Sequence, residues 1–195
     1  MERAATIDVP VIETPRLVLT LGAPETAARY ATFAIENDEH LARWEPPRPE
    51  GYFSEAYWYR RLERNRDELA LGGSLRLGIF RRGASEGPLV GHVNFSQIVR
   101  GGFQSCFLGY SLDRRCVGRG IMTEALQGVI PFVFQTLRLH RIQANYIPTN
   151  ERSGRVLRRL GFVVEGYARD YLFIGGAWRD HVLTALLNPI APDPE

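Results

Sequence analysis

An α+β domain on a mixed, mostly antiparallel sheet of about seven strands, with about four helices, is what the 195-residue sequence predicts. Three observations carry this. Three strand-like runs follow one another between positions 74 and 112 with only short turns between them, the pattern of an antiparallel meander. Segments of helical period flank that meander on both sides. No repeat, low-complexity stretch or linker interrupts the chain, whose length suits one domain with a sizeable core.

The elements follow in order. "MERAATIDVP" has no clear period, so residues 1–13 are expected as a loose or edge-packed tail before a domain at 14–188, with a second tail at 189–195. "RLVLTL" (Arg16 to Leu21) alternates and reads as the first strand. "APETAARYATFAIEN" reads as a helix, with Pro24 suited to an early position and Glu25 to the first turn. "EHLARWEPPRPEGYF" must be loop, because Pro46, Pro47 and Pro49 forbid continuous helix. A second helix runs from about Ser54 to the pair Gly72-Gly73, with Trp58, Leu62 and Leu69 near one face. Its arginines alternate with Glu63, Asp67 and Glu68, as on a solvated surface. "SLRLGIF", "LVGHVNFSQIV" and "FQSCFLGYSL" form the meander. A glycine-rich turn and a third helix come next, the latter expected to kink or end early at Pro131. "RIQANYI" is a strand, and Asn150 reads as the N-cap of a fourth helix that stops at Gly161. A closing hairpin, "FVVEGYARDYLFI" and "AWRDHVLTALL", flanks Gly175-Gly176.

Composition narrows the function classes. Hydrophobic residues make up 45% of the chain and charged ones 24%, as in soluble globular proteins, and a net charge of +2 announces neither a nucleic acid nor a membrane. Every basic side chain is arginine or histidine; there is no lysine. Cys106 and Cys116 make neither a disulfide framework nor a metal cluster, and a reducing cytoplasm is the expected home. No signal peptide or membrane-length apolar run is read. His40, His92, His140 and His181 are scattered without metal spacing, so structural roles are expected and no metal site is.

"CVGRGIMTEAL" (Cys116 to Leu126) places two glycines between a strand and a helix start, the layout of an anion cradle, where free N–H groups of the first turn carry partial positive charge. A dinucleotide fingerprint needs a third glycine where Thr123 stands, and a P-loop needs lysine. Neither fits.

In this stretch the sequence resembles the GNAT superfamily of N-acetyltransferases, whose acetyl-CoA loop carries Gln/Arg-x-x-Gly-x-Gly/Ala between strand and helix. Two registers are open. One places Arg115, Gly118 and Gly120 on the pattern; the other, preferred, places Val117, Gly120 and Met122 there and departs from it at Val117 and Met122. The likeness spans about residues 14–187. "TPRLVLT", "LGYSL", "GRGIMTEAL", "RIQANYIPTNERSGRVLRRLGFVVEG" and "WRDHVLTALL" are together similar to the RimJ/RimL branch, which acetylates N-terminal amines of ribosomal proteins. "RWEP", "VNFSQIVRG", "YARDYL" and "WRDHVLTAL" lean toward RimJ, the branch associated with ribosomal protein S5.

The resemblance implies the GNAT fold, with the sheet splayed between strands four and five, and acetyl-CoA as cosubstrate. It implies transfer to the N-terminal amine of a protein, a ribosomal S5-like one, by direct attack in a ternary complex. It extends to association with ribosomal particles; no direct nucleic-acid motif is read and no membrane partner is expected. Main-chain amides of Val117, Gly118, Arg119, Gly120 and Met122, with the Thr123 hydroxyl, are expected at the pyrophosphate. The Leu112 N–H is the expected oxyanion donor. Asn150 is expected to orient the pantetheine or acetyl end, and Ser153 to bind the cofactor and protonate the thiolate, since Leu157 stands where many relatives carry a tyrosine.

An α-amino group, with a pKa of about 7.7–8.0, is already neutral to the order of a tenth at pH 7, so little basic help is needed. Glu45 is the first candidate base and Asp170 the second. Two other functions stay in view: acetylation of a small amine such as an antibiotic or polyamine, and a non-catalytic CoA-binding ribosome-assembly factor.

Overall fold

The computed structural model describes residues 9–84 and 86–190; the outer parts of both expected tails, 1–8 and 191–195, and Ser85 of the "RRGASEGP" turn lie outside the described residues. The chain runs β1 (Val11–Glu13), β2 (Leu17–Thr20), a 3-10 turn (Pro24–Thr26), α1 (Ala27–Leu41), α2 (Glu55–Ala70), β3 (Leu75–Arg81), β4 (Gly91–Val99) and β5 (Ser105–Leu112). A second 3-10 turn (Arg114–Cys116), α3 (Ile121–Gln135), β6 (Arg141–Gln143), α4 (Glu151–Arg159), β7 (Val163–Ile174) and β8 (Ala177–Leu187) complete it.

Among the described residues, eight strands form one sheet in the order β1-β2-β3-β4-β5-β6-β8-β7. Of these eight, only β5 and β6 pair in parallel, over Ser105–Phe107 and Arg141–Gln143. The strand beyond the expected seven is β1, three residues too short for a period, which is held by its pairing with β2. The expected strand at 141–147 shortens to β6 plus a single bridge from Tyr146 to Val182.

Alternation along β3 sorts the two faces. Leu75, Leu77 and Ile79 join the main core with Leu126, Val129 and Val133 of α3 and Leu157 of α4. Phe80 joins a second core with Tyr30 and Phe33 of α1 and Trp58 and Leu62 of α2. Gly78 faces that second core: a Cβ there would lie 2.3 Å from the Tyr30 hydroxyl, so only glycine lets Tyr30 cross the sheet.

Two helix expectations need correction. α1 continues past Asn37 to Leu41, because Asn37 is buried, its Nδ2 donating to the Phe33 carbonyl and its Oδ1 accepting from the Arg114 N–H. α3 runs through Pro131 to Gln135. Pro131 is exposed, and the carbonyl its missing N–H leaves unbonded belongs to exposed Gln127, where water can take the bond. α4 starts and stops where expected: Asn150 Oδ1 accepts from the Ser153 N–H, and Gly161 takes φ +87° just after the last turn.

Candidate active site

The site grows from the parting of β5 and β6. Only the first three residues of β5 pair with β6, and Leu108–Leu112 run on without a partner on that side. On the other side, Asp113 N–H donates to Val90 O at 2.8 Å, a bond that flanks the Leu112–Gly91 pair as it does beside a non-hydrogen-bonded pair. Leu112 with Gly91 is therefore of that kind, so the Leu112 N–H points away from β4 and into the gap. Gly91 permits that close approach: a Cβ there would lie 2.4 Å from Ser111 O. The gap opens into a cleft of ≈ 980 Å³.

The floor is the glycine turn. Asp113 holds its start, accepting from Arg115 N–H at 2.7 Å and from the Arg115 guanidinium, which also reaches Glu36 at 2.6 Å. The Arg115 hydrogen bonds keep the Asp113 carboxyl below its usual pKa. Arg115 is held by these carboxylates and is not among the residues that line the cleft, while Val117, Gly118, Gly120, Met122 and Thr123 are. Arg119 is not on the lining. Gly118 and Gly120 take φ of +79° and +72°, and Gly120, the residue before α3, has no side-chain cap. The first N–H groups of α3 are therefore left without a side-chain cap beside a turn that lines the cleft, and a Cβ at Gly118 would meet nothing within 4 Å. This is the chemistry an anionic diphosphate needs.

A tether shapes the turn from behind. Glu124 in the first turn of α3 accepts from Thr14 Oγ1 at 2.7 Å, Arg16 N–H at 2.9 Å and Arg16 Nε at 2.5 Å. Arg16 Nη1 donates to the Arg119 carbonyl at 3.2 Å. Arg16 so neutralises a carboxylate beside the cradle and pins the loop backbone. Nothing in the sequence pairs two residues 108 apart.

α4 forms one wall. Asn150, Ser153 and Leu157 all line the cleft, Asn150 as an N-cap through its Oδ1 and Leu157 as buried core. Ser153 Oγ lies 2.7 Å from the Tyr110 hydroxyl of β5. Burial lifts the Tyr110 pKa to about 12, partly offset by the Ser153 hydrogen bond. Tyr110 was missed at the sequence level; its one signal was its place in "LGYSL", two residues before Leu112. Gly154 lets Tyr146 in, since a Cβ there would stand 2.9 Å from its ring.

The opposite wall comes from the α1–α2 loop and β4. Glu45 lines the cleft and is ion-paired to Arg48. Three of the four histidines line the cleft, His40 from α1, His92 from β4 and His181 from β8. His92 Nε2 is 2.8 Å from Ser111 Oγ, and burial holds its pKa below 6.5. His181 shares its Nδ1 proton with the Arg179 carbonyl at 3.0 Å. His40 is lowered by burial and by Arg43 and Arg152. With Arg155 and Arg159, those arginines make the lining rich in positive charge, suited to a polyanion. Asp170 is not brought to this cleft; its N–H bonds Asp180 in the closing hairpin, at φ +47°. No group of residues that could hold a metal exists among the described residues.

The acetyltransferase (GNAT) domain family matches residues 16–163. The chain belongs to the GNAT acetyltransferase family. Within that family it is 44% identical to the [ribosomal protein uS5]-alanine N-acetyltransferase of Escherichia coli (strain K12), over 91% of each chain. Among solved structures, it matches the ribosomal-protein-S5-alanine acetyltransferase of Vibrio fischeri with TM-score 0.89 and 36% identity, covering 94% of this chain and 99% of that one. Mycobacterium smegmatis RimJ in complex with CoA-disulfide matches with TM-score 0.85 and 28% identity, over 97% and 91% of the two chains. The GNAT sheet, parted between its central strands, is the one described above.

Proposed function

We propose that this chain transfers acetyl from acetyl-CoA to the N-terminal amine of a protein, a ribosomal protein of the uS5 type, in the cytoplasm. The observation that carries the reading is that one cleft is lined both by the uncapped start of α3, Gly118–Thr123, and by Leu112 at the end of β5 where the sheet parts. Bound acetyl-CoA supplies an activated acetyl thioester. The amides of Val117 to Met122 and the Thr123 hydroxyl hold its diphosphate, and the lining arginines favour its remaining phosphate.

The residues then divide three tasks. Leu112 N–H donates to the thioester carbonyl oxygen, which is worth about 3 kcal/mol where such donors have been removed in enzymes. Glu45 takes the amine's excess proton, through a water, and its pairing with Arg48 keeps the carboxylate in place. Ser153 Oγ gives a proton to the leaving sulfur. Tyr110, whose phenol is protonated at neutral pH, passes a proton to Ser153 across 2.7 Å and regains one from water in the cleft it lines, so the proton delivered to the sulfur comes in the end from solvent. Asn150 fixes the start of α4 and so the position of Ser153.

Purified protein incubated with acetyl-CoA and a panel of N-terminal peptides tests the reading by thiol release. Release with uS5-type peptides supports it. Release only with small amines, or coenzyme binding with no turnover on any amine, overturns it.

A further inference from the structure

We propose that His181 is a catalytic base for the acceptor amine, its Nε2 taking the proton that the nitrogen must lose once the C–N bond has formed. The proposal deepens the acetyl-transfer reading of the cleft and rests on it. An N-terminal ammonium gives up two protons on becoming an amide. Glu45 takes the first, before attack. Attack on the thioester carbon then leaves the nitrogen positively charged and still carrying two protons. As the C–S bond breaks, sulfur gains a proton from Ser153 and the nitrogen loses one to Nε2. The imidazolium returns its proton to solvent through the cleft, so the balance is amide, thiol and one released proton.

Strand alternation sorts the cleft into two faces. On β5, Cys106 and Leu108 belong to the main core with α3 and α4, and Tyr110 and Leu112 pack against it. Gly109 and Ser111 therefore face the other way, beside Asn94 and His92 of β4. On β8, Leu186 packs against the main core, and alternation back along the strand puts His181 on the opposite face. The glycine turn and the Ser153–Tyr110 pair thus belong to one face of the parted sheet, while His92 and His181 line the cleft from the other. An amine that approaches from the face the coenzyme leaves free arrives among these histidines, opposite the group that protonates the sulfur.

Hydrogen bonding decides between the histidines. A carbonyl oxygen only accepts, so the 3.0 Å contact with Arg179 O puts the His181 ring proton on Nδ1 and leaves the lone pair on Nε2. Nε2 has no partner among the described residues, yet it is not one of the buried polar atoms that lack one, so it keeps access to the cleft the ring lines. The Tyr171 ring lies 5.1 Å from the imidazole, centroid to centroid, and its hydroxyl accepts from Asn145 Nδ2 at 3.0 Å, which braces the ring. The titratable groups around it are Tyr171 of β7, Arg179 and Asp180 of β8 and, on the shared lining, Glu45, His92 and the arginines of α4. Asp180 is near enough for its charge to steady an imidazolium. His92 has both nitrogens engaged, Nε2 with Ser111 Oγ at 2.8 Å and Nδ1 with Asn94 Nδ2 at 3.4 Å. His40 lies among Arg43, Arg114 and Arg152, whose charges oppose a further proton.

The test measures kcat and peptide KM of the wild type, His181→Asn and His181→Gln with acetyl-CoA and an N-terminal peptide that the wild type acetylates. Asn can keep the bond to the Arg179 carbonyl and with it the local structure. Gln can place an amide oxygen near the Nε2 position but is no base at neutral pH. Both should lower kcat about 10²-fold or more, with peptide KM and CoA affinity by calorimetry little changed. The acid limb of the wild-type kcat profile at saturating substrates should be absent from both. Full activity in either variant, a loss that Gln restores, or an acid limb that survives in both makes His181 a packing or positioning residue and overturns the assignment. Ring ¹⁵N shifts of the wild type decide even if neither variant folds. Nδ1 should carry the proton and Nε2 none, and Nε2 should shift when CoA joined to the peptide through an acetyl bridge binds. A proton on Nε2 in the free protein, or no shift, sinks the assignment. If the wild type acetylates no amine, the acetyl-transfer reading falls and this assignment with it.

Discussion

Tyr110→Phe tests the proposed division of labour at the leaving group. The substitution removes one hydroxyl, 2.7 Å from Ser153 Oγ, and leaves the ring in place. Loss of one such hydrogen bond costs about 1 kcal/mol of stability, or about 2–4 °C in Tm for a chain this size. General-acid groups contribute about 10²–10⁴ to rate, and a relay partner should hold a fraction of that. We therefore expect kcat at saturating acetyl-CoA to fall about 10–30-fold, near 1.4–2 kcal/mol, with the coenzyme KM unchanged. Because the Tyr110 pKa is about 12, the phenol stays protonated through the assay range, so the pH profile of kcat should be scaled down without moving. Ser153→Ala should cost more, again in turnover rather than affinity. The double variant decides the matter. Residues acting as one relay are non-additive, so it should be no slower than Ser153→Ala alone. If the two losses multiply, or if Ser153→Ala weakens coenzyme affinity while turnover holds, the relay is wrong and Ser153 is a binding residue.

Further expectations follow from the cradle and the buried ionisable groups. Arg16→Ala removes the bonds to Glu124 and Arg119; with the Arg16 side chain 48% exposed, stability should change by less than about 1 kcal/mol, while KM for acetyl-CoA rises about tenfold and that for acetyl-pantetheine, which lacks the diphosphate, does not. Gly118→Ala meets no atom within 4 Å but must hold φ near +79°, so urea unfolding should show a loss of about 1–2 kcal/mol, with weaker CoA binding by calorimetry. Stability should fall on acidification. Burial lowers the His92 pKa, so the unfolded chain binds protons first below pH 6.5; Glu68, where burial is outweighed by hydrogen bonds from Ser74 and Arg61, is held at about 2 against 4.5 and gives up its share between those values. Glu68 is a third exposed, so its part is on the order of 1 kcal/mol after solvent screening. Melting temperatures at pH 7.5, 5.5 and 3.5 check this, and His92→Gln should flatten the step just below 6.5; a flat wild-type profile contradicts both assignments.

What the sequence revealed was what is local. The Asn150 cap, the Gly161 stop and the glycine-rich turn before α3 each follow from a few adjacent residues, and the structure has all three. Strand period located the meander and the closing hairpin for the same reason. What stayed hidden is long-range. β1 is three residues that become a strand only against β2, and α1 gains a turn because Asn37 finds Arg114 across the fold. The Tyr110–Ser153 pair joins residues 43 apart, and the Arg16–Glu124 tether residues 108 apart; neither has a spacing to read. Pro131 misled for a physical reason: the helix penalty assumes a buried gap, and this one faces water. The histidines carried no motif, yet His40, His92 and His181 meet at the cleft because two strands and a helix end converge there.

The central claim is that uncapped amides between a parted strand and the first turn of α3 clasp the coenzyme. Titrating CoA into ¹⁵N-labelled protein and following backbone amides measures this most directly. The resonances of Val117 to Thr123 and of Leu112 should move together with one dissociation constant, and those of the β7–β8 hairpin tip should stay still. Binding with the Val117–Thr123 amides unmoved would contradict the account.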